Sequence, residues 1–123
     1  MLRLWTLLSN HQLLAWMDDV EAQVLKIEGT SWSLHKYGGL QFNYLGKEIG
    51  HLHSNGLLDV LYSRTVKDKL KMDGRIQDHH VFANSGWISF YLEHPADVSY
   101  ANELLLIAMQ CVELKGVKRP SWD

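Results

Sequence analysis

Gly50-His51-Leu52-His53 places two imidazoles two positions apart, and Asp59 follows between apolar residues. Imidazole and carboxylate groups move protons near neutral pH, and both bind transition metals. On a strand, residues two apart leave the same face, so His51 and His53 can share one ion. A third donor would come from His79 or His80; these are adjacent, so one alone can point the same way, and His51, His53 and His80 form the candidate zinc set. No H-E-x-x-H, no C-x-x-C and no dense carboxylate loop accompanies them. No metal or other cofactor is therefore expected. Ser85 lies in Asn84-Ser85-Gly86-Trp87 without the G-x-S-x-G elbow, which makes it a turn serine. Neither G-x-x-x-x-G-K-[ST] nor G-x-G-x-x-G occurs, so nucleotide chemistry has no support.

The elements that must carry these groups can be read from periodicity. Residues 10–28 are expected to be helical. Leu13, Leu14, Met17, Val20, Val24 and Ile27 form an apolar stripe, Ser9 or Asn10 caps the start and Gly29 ends it. Residues 1–8 are expected to form an arm or an early helical turn. From Thr30 the period changes to two. Gly38-Gly39, Leu45-Gly46-Lys47 and Ser54-Asn55-Gly56 divide strands joined by tight turns, which must be antiparallel. Residues 63–73 suit a short helix with Ser63 as N-cap and Val66 and Leu70 inward. Residues 79–82 and 87–92 suit two more strands. Pro95 and Asp97 open a long helix on Val98, Ala101, Leu104, Leu105, Ala108, Met109 and Val112, closed by Gly116. Residues 117–123 are expected to be irregular. The order implies one α+β domain over residues 1–123: an antiparallel sheet of about five to six strands, with N- and C-terminal helices on one face and a short helix inserted.

The hairpin register decides what His51 and His53 meet. A two-residue Asn55-Gly56 turn pairs His53 with Leu58 and His51 with Val60. One face then carries Leu40, Phe42, Tyr44, Ile49, His51, His53, Leu58 and Val60. Glu48, Gly50, Leu52 and Asp59 lie on the other. The histidines are expected on the core side, and a direct His–Asp dyad within the hairpin is not expected.

Bulk composition fits an ordinary globular domain: 123 residues, 46% hydrophobic and 21% charged. Net charge is −2, which argues against a nucleic-acid binder. Lys67, Lys69, Lys71 and Arg75 are diluted by Asp68 and Asp73 and read as a solvated helix face. Cys111, the single cysteine, permits no internal disulfide and sits in an apolar helical stretch. The apolar start is too short to span a membrane, and a cytoplasmic site is the simplest expectation.

Taken together, G-H-x-H, Leu57-Leu58-Asp59, Ser63-Arg64, His79-His80 and Ser85-Gly86-Trp87-Ile88-Ser89-Phe90 resemble the luciferase-type domain, a family of unknown function. The similarity runs roughly from Leu34 to Gln110. Family members often carry Pro-Phe where this chain has Leu61-Tyr62, and Pro where it has Ala83. The resemblance implies that His51, His53, Asp59, Arg64, His79, His80, Ser85, Trp87 and Ser89 contain the ligand-binding candidates. The closing strand and helix are also similar to those of the MmcQ/YjbR-like group, α+β domains of the same element order. The leading expectation is a non-catalytic ligand-binding or protein-interaction module with a histidine-lined polar pocket. The second is a metal-assisted or acid/base hydrolytic enzyme using the histidines. The third is a weak nucleic-acid binder. A small molecule or a protein is the expected partner, self-association is left open, and no membrane is involved.

Overall fold

The computed structural model describes residues 2–36, 38–79 and 83–116, with side chains over 11–36, 38–79 and 83–115. His80 and residues 117–123 lie outside the described residues. The elements are α1 (Leu2–Val24), β1 (Thr30–Leu34), β2 (Leu40–Tyr44), β3 (Lys47–Leu52), β4 (Leu57–Leu61), α2 (Arg64–Lys71), β5 (Gln77–Asp78), β6 (Trp87–Tyr91) and α3 (Asp97–Gly116). The strands form one antiparallel sheet in the order β1-β2-β3-β4-β6-β5. This is the expected α+β architecture.

The core lies between the sheet and the helices α1 and α3. Val20 and Val24 of α1 and Ala101, Leu104, Leu105 and Ala108 of α3 are buried against Phe42, Ile49, Leu52, Leu58, Val60 and Ile88. Their three- and four-residue steps put them on one helical stripe, as the periodicity requires. Leu14 departs from the expected stripe and is exposed, whereas Trp16 packs against the core. Helix α1 begins at Leu2, before the caps expected at Ser9 or Asn10, and stops at Val24. Its end tightens into three-residue steps, with Ile27 N donating to Val24 O at 3.1 Å. Thr30 Oγ1 then donates to Val24 O at 3.1 Å and Ile27 O at 2.6 Å, satisfying carbonyls that a helix end leaves unpaired.

Helix α2 is capped as its sequence suggests, with Ser63 Oγ accepting from Val66 N. Lys69, Lys71 and Arg75 are exposed as expected of a solvated face, but Lys67 is not. Lys67 is 2% exposed. Its Nζ donates to Ala83 O at 2.9 Å and Ser85 O at 2.7 Å, and pairs with Asp78 at 3.3 Å. A buried ammonium is tolerated only where its protons find acceptors, and here three are supplied. Strand β5 covers only Gln77–Asp78, and His79 follows it outside any strand; residues 80–82, the rest of the strand expected at 79–82, lie outside the described residues. No helix among the described residues is long and apolar enough to cross a membrane.

Candidate functional site

Two irregularities in β3 build the site. The first is the β3–β4 turn. His53 N donates to Leu57 O at 2.8 Å, and Gly56 N donates to His53 O at 3.0 Å. The loop is therefore three residues, Ser54-Asn55-Gly56, with Gly56 at φ 87° closing it in the left-handed region. Asn55 Oδ1 accepts from Leu57 N and stiffens the turn. This overturns the two-residue register. Leu52 pairs with Leu58, and His51 pairs directly with Asp59. One added loop residue shifts every pairing by one and exchanges the faces.

The second irregularity is a bulge in the β2–β3 ladder. Phe42 pairs with Gly50 and Asn43 with Glu48, so Ile49 is the extra residue. The bulge breaks the two-residue alternation. Ile49 reaches the core, while Glu48 and His51, three apart, meet on the other face. His51 and His53 are thus not on the core side with Ile49. They lie with Asp59 on the face opposite α1 and α3.

Asp59 sits between the core residues Leu58 and Val60 and is itself 0% exposed. Its Oδ2 lies 2.7 Å from His53 Nε2, 3.0 Å from His51 Nε2 and 3.5 Å from His79 Nε2. Its Oδ1 accepts from Ser89 Oγ at 2.6 Å, across the β4–β6 pair. A carboxylate only accepts, so the two nearer Nε2 atoms carry protons in this arrangement. His51 Nδ1 lies 3.0 Å from Glu48 Oε1. Trp87 forms a wall, its ring 5.4 Å from that of His51 and 6.2 Å from that of His79.

The electrostatics follow from this enclosure. Burial alone would raise the Asp59 pKa, but hydrogen bonds from His51, Ser89 and His53 hold it far below the usual carboxylate range. Burial opposes the charge on His51 as well. The Asp59 and Glu48 carboxylates outweigh it and raise the His51 pKa. Both ring nitrogens of His51 thus face a carboxylate oxygen at 3.0 Å, which favours its charged form. His35 stacks on His51 with ring centroids 4.4 Å apart, and its pKa is lowered by burial and by the charge of His51.

The structure brings His51, His53, Asp59, His79, Ser89 and Trp87 together. The predicted separation of the histidines from Asp59 is reversed by the three-residue turn, and the bulge separates their face from that of Ile49. Arg64 stands apart: its Nη1 donates to Asn84 O. Ser85 serves the turn, its Oγ accepting from Trp87 N at 3.2 Å and its carbonyl from Lys67. Glu48 and His35 were missed by sequence reasoning. A bulge has no sequence signature here beyond Gly50, and His35 reaches the cluster through a loop.

A model of the family described as Luciferase domain matches residues 46–108. The chain belongs to the Luciferase domain family. The span of this Luciferase domain match holds Glu48, His51, His53, Asp59, His79, Trp87 and Ser89, and leaves out His35. No curated protein and no solved structure matches the chain.

Proposed function

We propose that this Luciferase domain holds a divalent first-row metal ion on His51 Nε2, His53 Nε2 and Asp59 Oδ2, and binds a small molecule there. The carrying observation is the donor set. One atom from each of these three residues lies within 4.8 Å of the others. Two imidazoles and one carboxylate leave coordination positions open, as catalytic zinc and non-haem iron(II) sites do.

The surroundings support the same reading. Metal-bound histidines commonly donate their second N–H to a carboxylate, and bound carboxylates are themselves hydrogen-bonded. Glu48 stands on His51 Nδ1, and Ser89 on Asp59 Oδ1. A metal ion would displace the two Nε2 protons. It would then act as a Lewis acid on a bound oxygen. The third donor is Asp59, in the place that sequence spacing assigned to His80.

A second reading needs no metal. The 2.7 Å contact of His53 Nε2 with buried Asp59 is that of an oriented general base, and the His53 side chain is 30% exposed. Elemental analysis of protein purified without chelator, followed by zinc, iron(II) and cobalt(II) titration of stripped protein, separates the two. The metal reading requires tight binding that Asp59→Asn and His53→Ala each weaken at least tenfold. Equal affinity in all three proteins sinks it and leaves the acid/base reading.

A further inference from the structure

The His51 ring has a carboxylate at each end, and a second donor set gathers at the outer one. His35, Glu48 and His51 each offer a ligand atom within 4.8 Å of the others. His51 Nε2 faces Asp59, while its Nδ1 faces Glu48, both at 3.0 Å. The two groups of donors therefore meet opposite nitrogens of one imidazole. We infer that this domain binds two cations, with His51 bridging an inner ion on His53 and Asp59 to an outer ion on His35 and Glu48. The inference rests on the metal reading above and adds a second site to it.

The outer donors are held by local devices. The bulge at Ile49 turns Glu48 toward His51, against ordinary strand alternation. His35 is carried by the β1–β2 loop. His35 N donates to Gly39 O at 3.0 Å and Gly38 N donates to His35 O at 2.9 Å. Gly38 and Gly39 have φ of 97° and 86°, and a Cβ at Gly39 would stand 2.5 Å from Leu52 O. The loop thus lies directly on the end of β3, which sets His35 over His51. His35 and Glu48 are half-buried, so exchangeable ligands have access from solvent. Two histidines and one carboxylate again form a borderline donor set suited to copper(II) or zinc(II). Loading both sites removes both N–H protons from His51, one for each metal–nitrogen bond. The protons go to solvent, and Glu48 changes from acceptor to ligand.

Metal-stripped full-length protein is titrated with copper(II) alone, and bound metal is counted after gel filtration. Two equivalents are expected in the wild type and one in His35→Ala and Glu48→Gln. One is also expected in His53→Ala and Asp59→Asn. Circular dichroism establishes that each variant is folded, and His35, on a loop, is the safest of the four. In the doubly loaded wild type, coupling through the shared imidazolate should suppress the copper paramagnetic resonance signal relative to singly loaded Glu48→Gln. One equivalent in the wild type that is indifferent to His35→Ala and Glu48→Gln overturns the second site and leaves the inner one standing. One equivalent lost in those variants but kept in His53→Ala overturns the inner site instead, and with it the pair. Two equivalents with an undiminished signal overturn the bridge, and none at all overturns both readings.

Discussion

Replacing Asp59 with asparagine tests whether one buried charge organises the polar face. The side chains have nearly the same shape, so no cavity is created. An amide oxygen can still receive His51 and His53 where Oδ2 stands, at 3.0 and 2.7 Å, and the amide nitrogen can donate to a rotated Ser89 hydroxyl. The change is therefore one of charge. Hydrogen bonds to charged groups contribute ~1.5–3 kcal/mol and neutral ones ~0.5–1.5, a difference of about 1 kcal/mol for each of the three short contacts. Relief from burying a carboxylate offsets part of that sum. The expected loss is about 2–3 kcal/mol, or a fall in Tm of roughly 10 °C for a domain of this size. Urea unfolding of the metal-stripped protein at neutral pH measures it. Ser89→Ala should cost about 2 kcal/mol in the wild type but only about 1 in the Asp59→Asn background, because the bond it removes is then neutral. The double-mutant cycle should show ~1 kcal/mol of coupling. A neutral or stabilising Asp59→Asn, or strict additivity with Ser89→Ala, would refute the idea that the carboxylate charge holds the cluster together.

Lys67→Met should destabilise by about 2–4 kcal/mol in the same assay, since it strips two loop carbonyls of their charged donor; a loss under ~0.5 would show the contacts to be incidental. Gly39→Ala should lower stability by more than ~1 kcal/mol, because alanine is strained at φ 86° and its Cβ meets Leu52 O. It should also weaken metal binding at the outer site, which calorimetry would detect. Asp78 has its pKa lowered by hydrogen bonding to Lys71, which outweighs burial and is reinforced by Lys67. A depressed carboxylate stabilises the fold above its unfolded value, ~3.9, and that contribution disappears as pH falls through the lower folded value. The destabilisation caused by Asp78→Asn should accordingly be present at pH 7 and vanish toward strong acid; a penalty independent of pH would exclude the ion pairs as its cause.

Sequence alone determined the kinds of element, their order and most of the core. Val20, Val24, Leu104, Leu105 and Ala108 recur at helical steps, and Phe42, Leu58, Val60 and Ile88 fit strand alternation, because burial selects side chains by periodicity. Antiparallel pairing followed from the tight turns. The family resemblance also pointed to His51, His53, Asp59, His79, Trp87 and Ser89. Their mutual arrangement did not follow. Asn55-Gly56 is compatible with loops of two and of three residues, and only closure of the His53–Leu57 ladder chooses between them. That single step decides whether His51 faces Val60 or Asp59. The bulge at Ile49 is settled by core packing on one face and by Glu48 on the other, neither of which is a local property. Lys67 shows the same limit. Its neighbours along the chain mark it as a surface lysine, and only the carbonyls of Ala83 and Ser85, distant in sequence, explain its burial. Chemistry-bearing residues could be named from their types, but their contacts depended on one-residue shifts in register, which tertiary structure alone decides.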